Sequence, residues 1–64
     1  MILNGQPRPL DGPALASDLL IREGFDLARV AVMLNGQIVA RADLGATLVH
    51  DGDRLEVVAF VGGG

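Results

Sequence analysis

Arg54-Leu55-Glu56-Val57-Val58-Ala59-Phe60-Val61, running into Gly62-Gly63-Gly64, decides the fold of this 64-residue chain. Apart from Arg54 and Glu56 the first eight residues are apolar, and they read as one extended strand. A run this apolar is hazardous at a sheet edge, which places it at the centre of a sheet. Alternation sends Leu55, Val57, Ala59 and Val61 to one face and Glu56, Val58 and Phe60 to the other. The three glycines bring no side chain to bury and lose the most backbone freedom on ordering. They make a thin lead, roughly 10 Å long when extended, able to thread a narrow active site and present a terminal carboxylate. The expected division is a folded unit over residues 1–61 and a flexible tail over 62–64.

Upstream of the strand, Asn-Gly-Gln occurs twice, at Asn4-Gly5-Gln6 and Asn35-Gly36-Gln37. Asn-Gly between short apolar runs signals a type I′ hairpin, whose two central residues both need positive φ. The spacing predicts one hairpin from Met1–Asn4 and Gln6–Leu10, and a second from Val30–Leu34 and Gln37–Ala40. Pro7 and Pro9 cannot donate to a ladder, so their strand belongs at an edge. Between the hairpins, Asp11-Gly12-Pro13 predicts entry into a helix over Ala14–Glu23, with Pro13 at its first position. Leu15, Leu19 and Leu20 lie on its buried side, Ser17, Asp18 and Arg22 on its wet side, and Gly24 stops it in left-handed geometry. Phe25 and Leu27 fold back onto the core. Arg41 to Asp53 reads as an irregular stretch, closed by a tight Asp51-Gly52-Asp53 turn. One helix must bury its stripe on one face of one sheet. The predicted fold is therefore α+β, a β-grasp of about five strands in a mixed sheet, with the first strand parallel to the last.

Composition narrows the function classes. One domain of this size buries only about 60% of the surface its unfolded chain exposes and does not easily hold a cofactor-sized cleft. A carrier or partner protein is expected rather than an enzyme. The net charge of −3 and pI of about 4.7 argue against nucleic acid, because no basic stripe exists to neutralise phosphates. No apolar run approaches the ~20 residues that span a membrane, and Met1-Ile2-Leu3-Asn4-Gly5 lacks signal-peptide character. The expectation is a cytoplasmic protein. The 64 residues contain no cysteine, so any sulfur the chain carries must sit at its end rather than on a thiol. All five basic residues are arginines, so self-conjugation through a side-chain amine is excluded.

The second half of the chain carries a family resemblance. Val30-Ala31-Val32-Met33-Leu34-Asn35-Gly36-Gln37-Ile38-Val39-Ala40-Arg41 resembles the "VAVxxNGxIVxR" segment of the thiamine-biosynthesis sulfur carriers, the ThiS family. Asp51-Gly52-Asp53-Arg54-Leu55-Glu56-Val57-Val58-Ala59-Phe60-Val61-Gly62-Gly63-Gly64 resembles their "xGDxIExVxxVGGG" ending. The likeness covers essentially the whole chain, and the final block is its specific part. Three departures stand out. Met33 takes a position that is usually polar, Pro13-Ala14 replaces a Thr or Ser near the helix start, and Ala40 replaces a common proline.

The resemblance implies a ubiquitin-like fold and a carrier chemistry. A free α-carboxyl is ionised at neutral pH and a poor electrophile. ATP, consumed by a partner adenylyltransferase of the ubiquitin-activating type, would convert Gly64 to an acyl-adenylate. A sulfur donor such as a cysteine desulfurase would then supply a persulfide that displaces AMP and leaves a thiocarboxylate. Thiazole synthase would take that sulfur for the thiazole of thiamine. Gly62 and Gly63 would thread the tail through both partners. The chain would bind no cofactor and supply no catalytic residue of its own.

Strand alternation puts Met33, Val58 and Phe60 on the uncovered face beside the tail, an apolar patch suited to docking. Other residues invite less. His50 has only Asp51 and Asp53 near it and reads as a solvated loop residue, so no metal site is expected. Arg41 and Asp43 are placed for a surface pair of little energetic weight. Three rival functions share the fold: a carrier for molybdopterin, cysteine or tRNA thiolation, a ubiquitin-like modifier of target lysines, and a structural adaptor that has no need of its tail.

Overall fold

A computed structural model describes residues 1–60. Val61 and the tail predicted at Gly62, Gly63 and Gly64 lie outside the described residues. The chain order is β1 (Ile2–Leu3), β2 (Gln6–Pro7), β3 (Ala14–Leu15), α1 (Ala16–Arg22), a 3-10 helix (Leu27–Arg29), β4 (Val30–Leu34), β5 (Gln37–Val39), a second 3-10 helix (Arg41–Ala46), β6 (Leu48–Val49) and β7 (Arg54–Ala59). The main sheet has the order β2-β1-β7-β4-β5. β1 runs parallel to β7, and the other neighbours are antiparallel. This is the predicted β-grasp, with the long final strand at its centre.

Both Asn-Gly pairs make the expected turns. Asn4 and Gly5 have φ of 50° and 81°, and Asn35 and Gly36 have 51° and 83°, the positive pair that a type I′ turn demands. β2, which contains Pro7, is an edge strand. Each two-residue loop sets the register of its hairpin, pairing Leu3 with Gln6 and Leu34 with Gln37.

Register then sorts every strand residue to a face. One inward row crosses the sheet as Leu3, Leu55 and Leu34, and the next as Val57, Val32 and Val39. Leu3, Leu55, Val57, Val30 and Val32 are buried, in one cluster with Ala16, Leu19 and Leu20 of α1 and with Met1, Leu44 and Val49. Phe25 and Leu27 pack against this cluster. α1 ends as predicted. Gly24 has φ of 89°, its N–H donates to the Ile21 carbonyl at 3.0 Å, and Phe25 N–H donates to the Leu20 carbonyl at 2.9 Å. These two bonds form a Schellman cap.

The helix begins two residues later than its sequence signals. Ala14 and Leu15 instead form β3, paired antiparallel with β6 at Val49 and Leu48. Ala16 N–H then donates to the Thr47 carbonyl at 2.8 Å. A partner strand over thirty positions away claims those backbone groups, and tertiary pairing overrides the proline signal. Leu15 is accordingly half-buried in β3, and Ala16 joins Leu19 and Leu20 on the buried side of the helix. The stretch from Arg41 to Asp53 is likewise not irregular, since it holds the second 3-10 helix and β6 and contributes the buried Leu44 and Val49. The hairpin strands are shorter than predicted, with β1 starting at Ile2 and β2 and β5 ending at Pro7 and Val39.

Candidate functional site

β7 is the element that leads to the tail, and it is held from both sides. Toward β4, five residue pairs run from Leu34 opposite Leu55 to Val30 opposite Ala59. One more bond, from Phe60 N–H to the Arg29 carbonyl at 2.7 Å, extends this side. Toward β1 the ladder should stop when β1 turns away at Asn4. It is carried on by a side chain. The Asn4 carboxamide accepts from Val57 N–H at 2.8 Å and donates through Nδ2 to the Val57 carbonyl at 3.2 Å. An amide side chain thus substitutes for a missing strand residue, satisfying both backbone groups of Val57.

The second Asn-Gly pair grips the start of the same strand. Asn35 Oδ1 accepts from Arg54 N–H at 2.9 Å, and Asn35 Nδ2 donates to Asp53 Oδ1 at 3.1 Å. Asp53 Oδ2 accepts from His50 N–H at 2.8 Å, closing the turn in which Gly52 has φ of 103°. These donors hold the Asp53 carboxyl below its ordinary value, the His50 N–H first and the Asn35 amide second. His50 is exposed, with Nδ1 3.5 Å from Asp53 Oδ2. Among the described residues no group of three His, Cys, Asp or Glu side chains gathers that would hold a metal. Arg41 does not turn to Asp43, because its guanidinium donates to the Ala28 carbonyl at 3.1 Å.

The uncovered face of the sheet carries the predicted patch. Val58 is 62% and Phe60 55% exposed, while Met33 is half-buried. Val58 lies opposite Ala31, and Met33 sits between Glu56 and Ile38 in one outward row. Alternation therefore separated the buried Leu55 and Val57 from the exposed Glu56, Val58 and Phe60, although Ala59, assigned to the inward face, is exposed at the end of the strand. It missed Ile38, which is 81% exposed and the most prominent apolar side chain on this face. The signal was present: a two-residue Asn35-Gly36 loop puts Met33 opposite Ile38 and so on the same face. A cavity of about 360 Å³, lined by residues including Ile2, Pro7, Pro9 and Asp51, lies by the start of β7, the end remote from Phe60. No helix among the described residues is long and apolar enough to cross a membrane.

Comparison with known proteins agrees along the whole length. The sequence profile of the ThiS family matches residues 1–64. The sulfur carrier protein ThiS of Thermus thermophilus is 42% identical over 62 residues, covering 97% of this chain and 95% of that protein. A thiazole synthase of Paramagnetospirillum magneticum is 39% identical over 64 residues, and one of Magnetococcus marinus is 39% identical over 62. The chain spans only 20% and 19% of those two proteins. The crystal structure of the thiamine biosynthesis protein ThiS from Geobacter metallireducens superposes with a TM-score of 0.80 at 36% identity, covering 98% of this chain and 96% of that one. With the profile, a full-length relative and the fold in agreement, the chain belongs to the ThiS family.

Proposed function

We propose that this protein is a sulfur carrier for thiazole formation in thiamine biosynthesis, acting as a protein substrate rather than as an enzyme. One observation carries the reading. The strand that leads to Gly62-Gly63-Gly64 is the central strand of the sheet, clamped on both sides as far as Val57 on one and Phe60 on the other. A rigid strand delivering a side-chain-free lead is what presentation of a C-terminal group to a partner's cleft requires. Family membership supports the same reading.

In this mechanism Gly64 carries the reacting carboxyl. A partner adenylyltransferase consumes ATP to form the acyl-adenylate, releasing pyrophosphate. The terminal sulfur of a persulfide, supplied by a donor such as a cysteine desulfurase, attacks the acyl carbon and displaces AMP. Reductive cleavage of the resulting acyl disulfide by a thiol leaves the thiocarboxylate on Gly64. Gly62 and Gly63 let the backbone pass the narrow parts of each cleft. Met33, Val58 and Phe60, joined by Ile38, dock against the partner. The two thiazole synthases that contain a region like this chain support a thiazole synthase as the acceptor of the sulfur.

Intact-protein mass spectrometry tests the proposal. After incubation with the host adenylyltransferase, ATP and a persulfide source, the protein should gain the mass of one oxygen exchanged for sulfur, and lose that gain on deletion of Gly64. An acyl-adenylate that never takes sulfur when the donor is shown active would favour a modifier. No gain at all, with an adenylyltransferase active on another carrier, would sink the carrier reading.

A further inference from the structure

The uncovered face of β7 is not uniformly apolar. Read back from the tail, its outward positions are Phe60, Val58, Glu56 and Arg54, about 7 Å apart along the strand. The two nearest the tail are exposed and apolar, and the next two are exposed and charged with opposite sign. Among the described residues, neither the Glu56 carboxylate nor the Arg54 guanidinium takes part in an ion pair or a side-chain hydrogen bond. Of the other four arginines, Arg22 on α1 likewise has no such partner among the described residues, while the Arg8, Arg29 and Arg41 guanidinium groups are occupied, by Glu23, Asp26 and the Ala28 carbonyl. Glu56 shares its row with Met33 and Ile38, so any surface that covers the apolar residues also covers this carboxylate.

Covering an unpaired charge costs far more than covering a methyl group, unless the partner supplies the counter-charge. An apolar patch alone can be covered in several rotations. A patch with a fixed carboxylate and, one step farther from the tail, a fixed guanidinium can be covered in one. We propose that Arg54 and Glu56 form a charge key for the thiazole synthase that receives the tail. Its docking surface carries an apolar depression at the cleft mouth for Phe60 and Val58, then a basic side chain opposite Glu56, then an acidic one opposite Arg54. The synthase is chosen as occupant because two relatives hold a region like this chain within a thiazole synthase polypeptide. The key orients the carrier so that the tail enters the cleft, and it rests on the carrier reading above.

The test is titration of the host thiazole synthase with wild-type protein, Glu56→Arg, Glu56→Gln, Arg54→Glu and the double swap, at low and high salt. Each single reversal should raise Kd about tenfold or more at low salt, and Glu56→Gln should flatten the salt dependence. The double swap should fail to restore binding, because the partner's two charges stand in fixed order. All variants should keep the wild-type melting temperature, and Glu56→Gln serves if a reversal fails to fold. Kd and salt slope indifferent to both positions would overturn the key, as would a double swap that binds like wild type. Loss of adenylation with synthase binding intact would overturn it too, giving this face to the adenylyltransferase. Loss confined to self-association would give it to a second copy. A wild-type protein that takes no sulfur yet binds the synthase through Glu56 would refute the carrier reading and leave the key standing.

Discussion

The two faces of the sheet are made from alternate residues of the same strands, and they do different work. Inward, Leu55 and Val57 are buried with Leu3, Val30 and Val32 against α1. Outward, their immediate neighbours Glu56 and Val58 are exposed. The burial that stabilises the fold and the surface proposed for a partner thus sit one residue apart on β7. The difference teaches that substitutions on this strand should separate into those that change folding and those that change association, by parity of position.

The largest expected effect lies inward. Leu55→Ala removes the middle of the Leu3–Leu55–Leu34 row and should cost about 3 kcal/mol, read from the urea midpoint. A loss below about 1 kcal/mol would mean that the row is not the core of the sheet. Asn4→Ala should come next, at about 1–2 kcal/mol, because Val57 loses partners for both its N–H and its carbonyl. Asn4→Asp keeps the acceptor and loses the donor, and should fall between Asn4→Ala and wild type in a thermal melt.

Outward substitutions sharpen the contrast. Val58→Thr keeps the branched shape and should change stability by less than about 0.5 kcal/mol, while weakening synthase binding measured by calorimetry. A matched loss of stability and binding would break the division between faces. The smallest effect belongs to Asp53. Its carboxyl is held low by the His50 N–H and the Asn35 amide, so the folded state binds fewer protons there than the unfolded state. That contribution is present above the ordinary carboxylate range and is lost as pH falls through the lowered folded value. Asp53→Asn should therefore show a shallower loss of melting temperature on acidification, and an unchanged acid slope would show that the turn does not depend on the charge.

Much of the fold was legible because its signals are local. Positive φ at Asn4-Gly5 and Asn35-Gly36, the edge position of Pro7, the stop at Gly24 and the alternation of β7 all follow from residues within a few positions of one another. The candidate patch was legible for the same reason, since parity alone puts Val58 and Phe60 opposite Leu55 and Val57. The β3–β6 pair escaped because two-residue strands have no periodicity of their own. Leu48-Val49 becomes a strand only when Ala14-Leu15 lies beside it. Ile38 escaped because its exposure depends on carrying the hairpin register across to Met33.

The two Asn-Gly-Gln copies show the same boundary within identical tripeptides. Chain chemistry alone determined that both would turn tightly, because Asn and Gly tolerate positive φ where other residues strain. It also determined that a central apolar strand would run into a glycine tail. The uses of the two asparagine side chains were decided only in three dimensions. Asn4 completes a ladder at Val57, 53 residues away in sequence, and Asn35 ties Arg54 to Asp53. Backbone dihedrals are set between neighbours. Hydrogen-bond partners, burial and unanswered charges such as Glu56 depend on which distant segments the packed sheet brings together.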